Sequence, residues 1–363
     1  MSYIWETTRI EEIMRAGLIR DLGKSQGEGR FGAYTTARKY LLENVLDEIK
    51  KLQPQLTDHG PRHIQNVLKN VHELVADVIA KRKGAEKKRP GLGGRALNGV
   101  ELYVLGASAL FHDVGNIFDR KEHQRQVSKI YDLVKPSSGG HQDREEKKII
   151  VDICQAHCGK ALDGSQNTLR FVDERSKLDG QEVRPQLLAA VLRFADELAE
   201  GEQRTSHYMI QQHNYSHDSI LFHQYADCSN VDIDRQGGRI RLTFHISLAC
   251  EGEGGTRDGS IIPITGLEEL LKFIYRRIEK LNQERQYARH YCPLLGQFKE
   301  TSASFNFWYR ERQVPLDLSA VVLSDLVVPG DPLKTVIQSD SRYDPSAVIS
   351  ELSQAMKKIK SET

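Results

Sequence analysis

The sequence predicts an α+β protein in which a helical first part, to about residue 205, is followed by a second part that carries strands. Two observations lead there. Up to residue 198 the apolar residues recur at three- and four-residue spacings, over 36–52, 61–78, 104–111, 144–158 and 185–198. From residue 207 the texture changes: short alternating runs at 208–210, 219–222, 230–233 and 239–246 read as strands, the last two joined by a Gln236-Gly237-Gly238 turn. At 363 residues the chain is long enough for two domains, each with its own core.

Residues 1–34 read as a loosely packed lead-in, a short helix at 8–19 and then a Gly-rich polar stretch to Gly32. Tyr40, Leu41, Val45, Leu46 and Ile49 give the next helix its packed stripe. Thr57 or Asp58 is placed to cap the helix after it, and Pro61 suits a first helical turn. That helix runs through His63, Val67, Leu68, Val71, Leu74, Val75 and Val78. The basic, Gly-rich insertion at 81–99 reads as a solvated loop, with a lid over a polyanionic substrate as the sharper alternative.

The apolar helix at 104–111 delivers a His112-Asp113 pair and breaks at Gly115. Arg120-Lys121-Glu122-His123 opens a further helix through Val127, Ile130, Tyr131 and Val134. Ile149, Ile150, Ile153 and Cys154 put His157 at the C-terminal end of another apolar stripe. After a polar, irregular stretch at 159–183, Asp196 stands among Leu188, Val191, Leu192, Ala195 and Leu198. An acid in such company needs a partner, because burying it unpaired is costly. A salt bridge to Arg193 or Arg204 is the bland solution and a metal ion the sharp one.

In the second part, 251–259 is a Gly-rich loop, 267–289 an amphipathic helix, 304–309 and 320–328 strand-like runs, and 345–359 a final helix. The stripe Leu267, Leu270, Leu271, Ile274, Ile278 and Leu281 must be buried against the protein's own strands or against another subunit. His207, His213, His217 and His223 lie close in sequence and read as solvated side chains rather than a second metal site.

Lys and Arg (51) balance Asp and Glu (50), so a formal charge of +1 exerts no global pull on nucleic acid or an anionic membrane. Five scattered cysteines with no CxxC pair suit a reduced compartment. The start lacks a signal peptide's pattern, and no apolar run approaches the about 18 residues that span a bilayer. A soluble, cytoplasmic protein is expected.

His63, His112-Asp113, His123, His157 and Asp196, in that order and on helical segments, resemble the H…HD…H…H…D scheme of the HD superfamily of metal-dependent phosphohydrolases. The style of the motifs is similar to the HD-CE branch, associated with prokaryotic conflict and defence systems. The resemblance covers roughly 35–205 and implies an all-α HD core there, with the insertion 81–99, preceded by the lead-in 1–34 and followed by an α+β domain at 206–363. It implies one ion held by His63, His112, Asp113 and Asp196, and a second that Asp113 shares with His123 and His157. Such mixed ligands suit Mn, Fe, Zn, Ni or Co, while carboxylates alone would favour Mg. Two ions about 3.5–4 Å apart clamp phosphoryl oxygens for in-line displacement. Asp113 and, as general acid, His59 are then the catalytic candidates. Arg62, Lys121, Lys160 and Arg204 are near enough to the motifs to bind phosphate, though each alone reads as an ordinary surface cation.

Two departures bear on substrate. Deoxynucleoside-triphosphate hydrolases of the superfamily carry a further catalytic histidine a turn after the pair, where this chain has Asn116. The Gly-Tyr-Pro signature of the cyclic-di-GMP phosphodiesterases is missing as well. The expectation is a nucleotide phosphohydrolase, acting first on (deoxy)nucleoside triphosphates and in antiphage defence. A phosphodiesterase of a cyclic or dinucleotide signal is the alternative. A non-catalytic, nucleotide-sensing subunit of a defence complex is a different class, disfavoured by the intact ligand set. A nuclease is disfavoured by the balanced charge and the lack of an aromatic-basic stripe. A homo-oligomer and a partner protein from a defence operon are expected, but neither a membrane nor nucleic acid.

Overall fold

The computed structural model describes residues 3–79, 96–135, 140–161, 163–206, 209–210, 215–250, 261–325 and 335–361. The predicted insertion therefore falls largely outside the described residues, as do the 251–259 loop, His207 and His213. The fold is α+β, with a helical first unit and a mixed sheet in the second. Packing divides the chain into Met1–Ala199 with Tyr287–Gly296, and Glu200–Gln286 with Gln297–Thr363. Among the described residues no helix is long and apolar enough to cross a membrane.

The first unit is built around α5 (Gly99–Phe111), every residue of which is buried. A helix apolar on all sides has to be central. It starts at Asn98, whose side chain accepts from the Glu101 amide (2.8 Å) while the Glu101 carboxylate accepts from the Asn98 amide (3.0 Å). These bonds close a capping box. Arg184 neutralises the fully buried Glu101 at 2.7 Å.

The lead-in proves to be part of the core. It forms two long helices, α1 (Arg9–Leu22) and α2 (Lys24–Leu41), with Ile10, Met14, Leu18 and Tyr34 buried. Glycine is what admits them. A Cβ on Gly99 would lie 2.1 Å from the Gly17 carbonyl carbon, so α1 crosses the start of α5 at backbone contact. Arg30 of α2 binds Asp179 at 2.6 Å and also pairs with the buried Glu146. Glu146 lies on α7 (His141–Ala156) and accepts from the Tyr103 hydroxyl of α5 at 2.6 Å. After α2 the chain continues through a π-helical turn (Leu42–Leu46) and α3 (Asp47–Leu52).

The remaining helices of the unit are α4 (Pro61–Val75), α6 (Val127–Val134) and α8 (Pro185–Glu197). In α4, Pro61 takes the first turn and Gly60 the cap position, its amide held by Asp58 at 2.8 Å. The stretch read as irregular contains a small hairpin, β1 (Ser176–Leu178) and β2 (Gln181–Val183). Asp179 and Gly180, both at positive φ, make its turn.

In the second unit β3 (Ser229–Asp234) and β4 (Arg239–Ala249) form the expected antiparallel hairpin, with Gly238 at positive φ in the turn. β4 pairs in parallel with β5 (Ile261–Pro263) and β6 (Glu300–Tyr309). β7 (Arg312–Val314) and β8 (Val321–Ser324) add to β6 antiparallel. The stripe of the helix Leu267–Tyr291 is buried inside the unit: Leu267, Leu270, Leu271, Ile274, Ile278 and Leu281 are at most 1% exposed. Tyr275 of that helix packs edge-on against Phe305 of β6. Three sequence expectations are corrected. Residues 209–210, from the run read as a strand at 208–210, are helical. Residues 219–222 belong to a helix, His217–Cys228, not a strand. His223 on it is buried rather than solvated, stacked on Tyr215 with centroids 3.4 Å apart and 2.8 Å from the Thr205 hydroxyl.

Candidate metal centre

Four helix ends of the first unit bring donors to one place. His63 comes from the first turn of α4, and His112 and Asp113 directly follow α5. His157 directly follows α7, and Asp196 lies in the last turn of α8. His123 opens the short 3-10 helix His123–Gln126. The close packing of that turn depends on Gly115, where a Cβ would lie 1.9 Å from the His123 carbonyl oxygen.

The result is two donor groups that meet at Asp113. His63, His112, Asp113 and Asp196 place one donor atom each within 4.8 Å of all the others. The Oδ1 of Asp196 is 3.1 Å from His63 Nε2 and 3.5 Å from His112 Nε2. The Oδ2 of Asp113 is 3.4 Å and 3.2 Å from the same two nitrogens. The Oδ1 of Asp113 points the other way, 3.1 Å from His123 Nε2 and 3.6 Å from His157 Nε2. His59 stands beside the first group, its Nε2 4.0 Å from Asp113 Oδ2.

The donor set fits a divalent cation by the hydrogen bonds on its far side. A carbonyl oxygen only accepts, so the Nδ1 atoms of His112, His123 and His157 carry protons toward the carbonyls of Ala109, Arg120 and Cys154. Once the second proton is gone, that tautomer directs each Nε2 lone pair into the cluster, as metal-binding imidazoles require. The Nδ1 of His63 is buried with no hydrogen-bond partner among the described residues, while its Nε2 faces both aspartates.

Electrostatics agree with geometry. Burial alone would raise the pKa of Asp113, but the His112 and His59 rings outweigh it and hold the carboxyl well below the usual range. Asp196 behaves alike, its burial outweighed by hydrogen bonds from His112 and His63. Burial opposes charge on His123, yet Asp113 prevails and lifts its pKa to about 10. His157 is also lifted to about 10, burial being overcome chiefly by Cys158 and Asp113. The cluster thus holds protons where a cation would sit.

The other sequence-predicted residues are spread more widely. Arg62, Lys121 and Lys160 are exposed. Lys160 lines a cavity of about 200 Å³ together with Gln124, Arg125, Asp152 and Thr168. Arg204 is buried in the second unit, 3.7 Å from Glu200. Arg193, the bland partner for Asp196, donates to the Thr168 hydroxyl at 3.1 Å and lies over the Tyr287 ring. Two more residues belong to the site, Asn116, which the sequence marked only as a departure from a catalytic histidine, and Cys158, which it did not mark at all. Asn116 is buried and its amide donates to Asp113 Oδ1 at 3.2 Å. The sulfur of Cys158 lies 3.5 Å from His123 Nε2. Its adjacency to His157 was the one signal available.

A helical core that gathers histidines and aspartates from facing helix ends into one buried cluster defines the HD class of domain. The HD-CE family model matches residues 53–280, more than half of the chain, and the chain belongs to the HD-CE family. The match extends past Ala199 into the second unit. No curated protein and no solved structure matches the chain. Family and cluster together point to a metal-dependent, HD-type hydrolase.

Proposed function

We propose that this protein is a phosphohydrolase of nucleotides, with a (deoxy)nucleoside triphosphate as its substrate, working in antiphage defence. The observation that carries the reading is the divided Asp113 carboxylate, one oxygen facing His63 and His112 and the other facing His123 and His157. His63, His112, Asp113 and Asp196 would hold one divalent cation (Mn, Fe, Zn, Ni, Co or Mg), and Asp113, His123 and His157 a second. Bound there, such ions neutralise charge on phosphoryl oxygens and let water act as a nucleophile near neutral pH.

The chain's own residues position and protonate. The Asn116 amide holds the Asp113 carboxylate from rotating between the two groups. The Nδ1–H of His59 donates to the Thr57 carbonyl, so His59 serves as general acid in its imidazolium form, giving the Nε2 proton to the departing oxygen and keeping the Nδ1 one. The cavity beside Gln124, smaller than the about 300–1,000 Å³ of common ligand sites, admits part of a nucleotide, with Arg125 and Lys160 near a phosphate. Arg62 and Lys121 supply further exposed cations. The second unit carries none of these donors. In this reading it serves assembly as a homo-oligomer, response to an effector, or a partner protein of the defence operon.

The test is hydrolysis by the full chain reconstituted with Mn²⁺, against nucleoside triphosphates, deoxynucleoside triphosphates and cyclic dinucleotides, with products separated by charge. Release of tripolyphosphate or pyrophosphate is expected, falling to background in His112→Ala and Asp113→Ala. Linear nucleotides from the cyclic substrates would replace the triphosphate reading by a phosphodiesterase. A metal-loaded protein that turns over none of them would make it a nucleotide-sensing subunit.

A further inference from the structure

The second donor group is larger than the ordered histidines and aspartates imply. The helix α7 ends at Ala156, and His157 and Cys158 leave it together. Gly159 then turns the chain at φ +75, a conformation that glycine adopts without strain. Two adjacent residues that have left the helix can point to the same place, which neighbours within a helix cannot. His157 Nε2 lies 3.5 Å from His123 Nε2, and the Cys158 sulfur 3.5 Å from that same nitrogen. The donor atoms of His123, His157 and Cys158 all lie within 4.8 Å of one another. Among the described residues this is the one such group that contains a cysteine.

We propose that Cys158 is a protein ligand of the second cation, so that this position is a His123–His157–Cys158–Asp113 site built for a thiolate-tolerant ion such as Zn²⁺, Fe²⁺ or Co²⁺. The inference rests on the reading of the cluster as a metal centre and adds to it the ligand that selects the ion. Four donors about 2.0–2.3 Å from a tetrahedral ion lie about 3.3–3.8 Å from one another. The nitrogen–nitrogen, sulfur–nitrogen and oxygen–nitrogen separations of 3.5, 3.5, 3.1 and 3.6 Å here are already close to that. The first position, with two imidazoles and two carboxylates, lacks sulfur and accepts harder ions. Thiolate suits Zn²⁺ and its soft neighbours, whereas Mg²⁺ asks for oxygen. The two positions therefore differ in preference, and Mg²⁺ alone fills at most the first. Cys154, four residues earlier, is buried with its thiol on the Ser108 carbonyl and takes no part.

The test uses the full chain, stripped of metal and titrated with Co²⁺. The expected result is two bound ions by elemental analysis, with a thiolate-to-cobalt charge-transfer band in the near ultraviolet that grows with one of them. Bound metal should also protect Cys158 from alkylation, read by peptide mass spectrometry. Cys158→Ser should lose the band and weaken one of the two ions by about tenfold or more, the range for loss of a group supporting a metal site. His112→Ala should keep the band while losing the other ion. Two ions without a thiolate band, and with Cys158 alkylated at the metal-free rate, would overturn the proposal and leave the metal-centre reading standing. A wild-type chain that binds no divalent ion would overturn both. The band and the alkylation are read on the wild type, so the outcome does not depend on whether a variant folds.

Discussion

Asp113 is the residue on which the two donor groups depend, and its neighbours set how metal uptake responds to pH. His123 and His157, each raised to about 10, carry protons in the metal-free protein below that pH. An arriving cation has to displace them. The sign follows: as pH rises toward about 10 the competing protons leave, so affinity at this position increases from pH 6 to pH 9. Each proton displaced contributes about one unit of log Kd per pH unit. Calorimetric titration at pH 7.5 in two buffers of different ionisation heat should show proton release on binding. A flat Kd with no buffer dependence would mean the rings are already neutral. At this scale the sequence was informative about kind and order but not about aim. His63, His112, Asp113, His123, His157 and Asp196 stood out because their types and sequence fit a donor scheme. Cys158 did not, and Asn116 did so only as a missing histidine, because an amide or a thiol becomes part of a site only through where it points.

Among the elements, the short turns place His123 more than the long helices do. The turns Val114–Ile117 and His123–Gln126 lie so close that a methyl group on Gly115 would overlap the His123 carbonyl. Gly115→Ala is therefore expected to push the second turn outward, at a cost of about 1–3 kcal/mol for overpacking. His123 would move off Asp113 and one of two bound ions would be lost, while His63, His112 and Asp196 stay in place. Unaltered metal content and melting temperature would show that the turns can give way. Two of the misread elements went wrong for different physical reasons. The run at 219–222 is too short for periodicity to separate a strand from a buried helix, and packing of Tyr225 and Ala226 decided for the helix. The lead-in was read as loose because glycine disfavours helix by about 1 kcal/mol. Yet Gly27 is in α2 for closeness, since a Cβ there would lie 2.6 Å from the Ile19 amide of α1.

For the whole molecule, the division into two units does not follow the order of the chain. Tyr287–Gly296, at the end of the helix Leu267–Tyr291 and just past it, belongs to the unit that carries the His/Asp donor cluster. There the Tyr287 hydroxyl donates to Asn167 (2.9 Å) and accepts from the Leu169 amide (3.0 Å), and Leu294 and Leu295 are buried. A chain cut near residue 205 loses all of this. The two leucines alone account for about 3–6 kcal/mol. The cut chain should melt lower by on the order of 10 °C, followed by circular dichroism, and adding back a stop after residue 296 instead should restore most of the loss. Equal melting of the short and long chains would make the segment dispensable. Nothing in the periodicity of residues 267–289 announces that the end of this helix serves a different unit from its body. Local pattern determined the helical faces, the β3–β4 hairpin and the ordered donors, because spacing along a chain reports which side of an element is apolar. Tertiary structure alone decided that donors between residues 63 and 196 meet around one carboxylate, that Cys158 joins them, and that Tyr287–Gly296 returns to their unit. Those outcomes depend on how close helices can approach and where side chains aim, and both are properties of packing.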